Sequence, residues 1–83
     1  MEDVTMIPVQ SKTIAEMGLD AHHDLMYVKF ASGTVYSYSN VSQAEFDSIS
    51  TDVSIGSKLR RVVKDKLYAK LNEDNPNFKR LKY

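Results

Sequence analysis

The sequence predicts an α+β domain, a small antiparallel sheet of three or four strands packed against two C-terminal helices. Three observations carry that reading. A β-hairpin pattern spans residues 25–39, paired helix-start signals open at Val41, and apolar residues recur at helical spacing from Ile55 to Leu71.

The hairpin is the central element. Between Leu25 and Tyr38, two runs of β-branched and aromatic residues flank a turn in which Gly33 is the natural left-handed residue. A two-residue loop at Ser32 and Gly33 would put Val28 opposite Ser37 and split the apolar set between the faces. A three-residue loop, Ala31 to Gly33 with Gly33 in a G1-type bulge, brings Val28 opposite Tyr36 and Met26 opposite Tyr38. This second register gathers Met26, Val28, Phe30, Tyr36 and Tyr38 on one face, and it is the register expected. The other face then carries Leu25, Tyr27, Lys29, Val35 and Ser37, a mixed and partly wet surface.

Ahead of the hairpin, Met1 to Thr5 is polar and expected to fray. Met6 to Val9 reads as a short edge strand, since Pro8 cannot donate to a central ladder. Thr13 to Asp20 reads as a second strand with Ile14 and Met17 as apolar anchors. Gly18 there permits a bulge or a close backbone approach. Asp20 to Asp24 is a polar turn.

After the hairpin, Ser42 with Glu45 forms a capping-box pattern, and Val41 with Phe46 a hydrophobic staple. They predict a short helix over about 43–52, with Phe46, Ile49 and Val53 on its buried side. Ile55, Leu59, Val62, Val63, Leu67 and Leu71 then predict a second helix over about 55–71. Asn72 to Asn77 ends it as a linker, because Pro76 and the asparagines favour turns. Phe78 to Tyr83 is a basic tail containing Lys79 and Arg80, expected to be disordered in isolation. Residues 1–71 are thus read as one domain and 72–83 as its tail.

The chain has 83 residues and no cysteine. One domain of this length buries about 60 % of its unfolded surface, so its core is small. Without thiols neither a disulfide framework nor a thiolate metal site is available, and a cytoplasmic setting is expected. No apolar run has the length of a membrane span, so no membrane partner is expected. The zero net charge conceals an asymmetry. Residues 1–57 hold Lys12 and Lys29 against eight carboxylates, for a net −6, while residues 58–83 hold nine basic residues against three acidic ones, for a net +6. A basic C-terminal third suits an anionic partner; the plain alternative is attraction between the two parts of the chain.

On the predicted second helix, Arg60, Arg61, Lys64 and Tyr68 fall opposite the apolar stripe. Cations with an interleaved aromatic suit a phosphate backbone and a stacked base. The plain alternative is the solvated side of an amphipathic helix. Tyr36 and Tyr38 lie on the face assigned to the core, where burial of the ring outweighs a stacking role. His22 and His23 with Asp20 and Asp24 hold metal-capable atoms, but adjacent residues diverge and no metal site is expected. No nucleophile stands by motif beside a base, and Gly18, Gly33 and Gly56 form no phosphate loop. The sequence therefore predicts neither an enzyme nor a cofactor.

Three motifs in order carry a family resemblance: Val9-x-Ser11-x-x-Ile14-x-x-Met17-Gly18-Leu19-Asp20, then Val28-x-Phe30-x-x-Gly33-x-x-Tyr36-x-Tyr38-x-x-Val41, then Ser54-x-Gly56. This pattern resembles the KTSC domain, a short family named from the C-terminal region of some lysyl-tRNA synthetases and also found as stand-alone bacterial and phage proteins. The resemblance covers about residues 9 to 68. Leu19 stands where the family tends to carry Tyr, and Leu59-Arg60 stands near its usual Phe-Asn. The resemblance implies RNA binding, without a defined mechanism.

The functional expectation is a non-enzymatic module binding RNA or single-stranded nucleic acid through Arg60, Arg61, Lys64, Tyr68, Lys79 and Arg80. The alternative is a protein-interaction module or homodimer using Tyr27, Lys29 and a free hairpin edge.

Overall fold

The computed structural model describes residues 4–71 and 81–82. Among these residues seven strands and two helices follow one another as β1 (Val4–Thr5), β2 (Ile7–Pro8), β3 (Ile14–Asp20), β4 (Leu25–Phe30), β5 (Val35–Tyr38), α1 (Gln43–Ser50), α2 (Ile55–Val63), β6 (Tyr68–Leu71) and β7 (Leu81–Lys82). Strands β2 to β6 form one antiparallel sheet in sequence order, and β1 pairs with β7 in a separate parallel ladder.

The hairpin takes the three-residue loop. Val28 stands opposite Tyr36 and Met26 opposite Tyr38. The Phe30 N–H donates to the Thr34 carbonyl at 2.8 Å and the Gly33 N–H to the Phe30 carbonyl at 2.9 Å, with Gly33 at φ 97°. Glycine occupies that left-handed position without steric cost. The Ala31 N–H donates to the Thr13 carbonyl at 2.8 Å, tying the tip to the start of β3.

The α1 start also forms as its residues dictate. The Glu45 N–H donates to Ser42 Oγ at 3.2 Å, and the Ser42 N–H donates to Glu45 Oε1 at 3.0 Å. Val41 and Phe46 are both buried in the cluster beneath the helices. The helix stops at Ser50, and Val53 is fully exposed rather than buried.

The sheet has five strands where three or four were expected, and the helices do not end the fold. The second helix stops at Val63 instead of Leu71, and the residues expected to extend it become β6. Two periods compete in that stretch. Leu67 and Leu71 are spaced for a helix, but Tyr68 and Lys70 alternate with Ala69 and Leu71 as a strand requires. The outer edge of β5 decides between them, because pairing with it satisfies a row of backbone donors and acceptors. The resulting register sets Tyr38 opposite Tyr68, Tyr36 opposite Lys70 and Val35 opposite Leu71. The Ser39 N–H continues the ladder to the Leu67 carbonyl at 2.9 Å. Leu67 itself is 79 % exposed.

Each sheet face has its own apolar cluster. The helix side joins Ile14, Met17, Met26, Val28 and Tyr38 to Val41, Phe46, Ile49, Ile55 and Leu59, with Phe30 and Tyr36 at its margin. The other side, expected to be partly wet, is covered: Val4 and Met6 pack over Tyr27, Val35 and Leu71. Met1 to Thr5 was expected to fray, but Val4–Thr5 forms β1 instead. Gly18 makes this covering possible, since a Cβ there would lie 2.8 Å from the Thr5 carbonyl oxygen and 2.8 Å from Val4 Cγ1. The basic tail was expected to be disordered in isolation; its Leu81 and Lys82 pair with Val4 and Thr5.

Candidate functional site

The turn from α2 into β6 is clasped to the start of α1. Lys66 Nζ donates to the Asn40 carbonyl at 2.6 Å and pairs with the Glu45 carboxylate at 3.3 Å. Asn40 sits at φ 60° where the chain leaves β5, which presents its carbonyl to that lysine. Donation from the Ser42 backbone N–H holds the Glu45 carboxyl below its ordinary range, and Lys66 adds to the effect.

This clasp sets β6 beside β5 and creates an aromatic strip. The Tyr36 ring meets Phe30 edge-on at 5.6 Å and Tyr68 at 6.0 Å, while Tyr38 lies 6.4 Å from Tyr36 and 6.2 Å from Tyr68. Exposure divides the strip. Tyr38 is buried, and burial together with Tyr36 and Tyr68 raises its hydroxyl above the ordinary range. Phe30 and Tyr36 are half-buried, and Tyr68 is 68 % exposed. Tyr38 thus serves the core, as expected, whereas Tyr36 stands at its rim.

Cations border the strip. Lys64, at the end of α2, lines a cleft of about 260 Å³ with Tyr36, Tyr38 and Tyr68. Arg60 lines another of about 320 Å³ with Phe30, Tyr38 and Val63. A third cleft, of about 470 Å³, adds Lys12 and Lys70 beside Phe30 and Tyr36. A larger hollow of about 640 Å³ at the start of α2 is lined by Lys12 and Arg60 together with the hydroxyl residues Ser11, Thr13, Ser54 and Ser57. The combination offers charge to an anion and ring faces to a planar group.

Lys64 and Tyr68 do share a site, but Tyr68 arrives on a strand rather than one turn further along a helix. Arg61 is exposed on α2 and lines none of these clefts. Lys79 and Arg80 lie outside the described residues. Tyr27 is 1 % exposed beneath β1 and presents no surface, because its ring fills the back cluster. Lys29 is half-buried, across from Glu16 and Val35. The hairpin has no free edge, since β3 flanks β4 and β6 flanks β5.

Phe30, Tyr36, Lys12 and Lys70 line the candidate clefts and were not assigned to a site by the sequence reading. The signal for Lys70 is its parity with Tyr68, which places both on the Tyr36 face once β6 is a strand. His23 donates to or accepts from buried Asp20 at 2.9 Å through Nδ1, and among the described residues no three His, Cys, Asp or Glu side chains converge as a metal site. No helix among them is long and apolar enough to cross a membrane.

A family model described as the KTSC domain matches residues 10–68. Among solved structures, a KTSC domain protein from Yersinia pestis is similar in fold, with a TM-score of 0.78 at 24 % identity over 83 % of this chain and 99 % of that one. A comparison with curated proteins finds no match.

Proposed function

The chain belongs to the KTSC domain family, and from that premise we propose that it is a non-enzymatic, cytoplasmic module binding RNA or single-stranded nucleic acid. One observation carries the reading: aromatic rings of the sheet, from half-buried Phe30 and Tyr36 to exposed Tyr68, line clefts that also hold Arg60, Lys64 and Lys70. Lysine and arginine attract a phosphate backbone without regard to sequence, and a ring face accepts any base. The body, residues 1–71, carries a basic extension at 72–83, and Arg61, Lys79 and Arg80 add charge to the same partner. The acidic first part of the chain narrows the attraction to this surface. Protein docking through Tyr27 loses its support with the burial of that ring.

The test is titration of a labelled single-stranded oligonucleotide at two salt concentrations. Affinity is expected at roughly micromolar Kd, falling with salt by a slope of about 0.7 per phosphate neutralised. Arg60→Ala and Lys64→Ala each lower that slope by about one contact. Absence of binding at low salt refutes the reading, and a stoichiometric protein partner insensitive to nuclease would replace it.

A further inference from the structure

The clefts of about 260 and 470 Å³ share Tyr36 and no other lining residue. The smaller has Tyr68 as its outer aromatic and two cations, Lys64 and the Glu45-paired Lys66; the larger has Phe30 as its aromatic and Lys12 and Lys70 as its cations. Tyr36 therefore stands as a partition, with Tyr68 at 6.0 Å on one side and Phe30 at 5.6 Å on the other. Each compartment repeats the same chemistry, aromatic rings beside a positive charge.

From this repetition we infer that Tyr36 separates two adjacent nucleobase subsites, so that the protein holds two consecutive unpaired nucleotides with the Tyr36 ring between their bases. The inference rests on the nucleic-acid reading above and adds the form of the ligand. Lys70 lies directly across the β5–β6 ladder from Tyr36, at the partition itself. It is therefore placed to meet the phosphate that links the two nucleotides, while Lys64 and Lys12 serve the flanking phosphates. A duplex keeps its base faces stacked on one another, so it offers nothing to these rings. Tyr38, beneath the strip, forms the floor of the smaller subsite and stays part of the core.

The experiment compares a uridine tetranucleotide, the same tetranucleotide with abasic sugars throughout, and a duplex long enough to stay paired, compared at equal phosphate concentration. Binding is read from native tyrosine emission, which is unmasked because the chain has no tryptophan. The base-bearing strand is expected to bind tenfold or more tightly than the abasic strand, as a stacked base contributes a factor of roughly 5 to 150. Tyr36→Leu removes most of that preference and Tyr36→Phe retains it. Tyr68→Ala, at a position that is 68 % exposed, removes the part due to one subsite. Equal affinity for the base-bearing and abasic strands, or for the duplex, overturns the two-subsite assignment while salt-dependent binding through Lys64 still stands. Failure of every strand to bind at low salt overturns both.

Discussion

Replacing Gly18 with alanine adds one carbon where β1 crosses the sheet. The new Cβ would meet the Thr5 carbonyl oxygen and Val4 Cγ1 at 2.8 Å and Met6 Sδ at 2.9 Å, inside the distance real Cβ atoms tolerate. The chain has two responses. It can keep β1 seated and absorb the overlap, at about 1–3 kcal/mol for an overpacked site. Alternatively, it can lift β1 and expose Val4 and Met6, now 3 % and 5 % exposed, at roughly 1.5–3 kcal/mol for each side chain. Against either stands a gain of about 0.4–1 kcal/mol from the stiffer unfolded chain. The net loss of about 1–2 kcal/mol lowers the Tm of a domain this size by roughly 4–16 °C. The assay is thermal unfolding followed by circular dichroism, run also on a chain lacking residues 1–5. In that shortened chain Gly18→Ala is expected to cost little or to stabilise, because the contacts at Val4 and Thr5 are gone and only the flexible end of the Met6 side chain remains near the new Cβ. An unchanged or raised Tm in the full chain would refute the argument that β1 rests on Gly18.

Leu71→Ala should cost about 2–5 kcal/mol, since Leu71 fills the back cluster at 4 % exposure, whereas Leu67→Ser should stay within about 0.5 kcal/mol; a helix through both positions would make the two costs alike in denaturant titration. The Glu45 carboxyl is held below its ordinary range in the fold, so its contribution is fully present above about pH 4.3 and is lost as pH falls through the lower folded value. Glu45→Gln is therefore expected to flatten the acid limb of a stability–pH profile, and an unchanged limb would show that the Ser42 and Lys66 contacts do not favour the charged form.

Parity and capping made the hairpin and the start of α1 legible. Only one register of Leu25 to Tyr38 gathers the large residues on one face, and Ser42 with Glu45 satisfies helix donors that no other local partner reaches. Residues beyond Val63 were not legible, because Leu67 and Leu71 satisfy a helical period and the strand that competes for them depends on an edge distant in sequence. The back face failed for a similar reason. Tyr27 and Lys29 looked like a surface until Val4 and Met6 were placed over the sheet, and Gly18 was the local sign that something would come that close. At the candidate site, Arg60, Lys64 and Tyr68 were named from charge and aromatic spacing, and each lines a cleft. Tyr36, Phe30 and Lys70 needed the β5–β6 register.

That β5–β6 register also orders the folding of the molecule. From β2 to β5, each strand pairs with its successor in the chain, so these contacts close over short loops and are expected to form early. The β5–β6 contact must wait for the chain of α1 and α2 to be laid down between its two strands. Tyr68 and Lys70 therefore reach Tyr36 through the longest closure in the five-stranded sheet, and amide exchange should find this ladder opening before β3–β4. A molecule that has lost β6 keeps its meander but has lost one wall of each cleft beside Tyr36. The proposed nucleic-acid surface and the longest closure of the five-stranded sheet share one strand, so that surface is complete only once β6 has paired with β5.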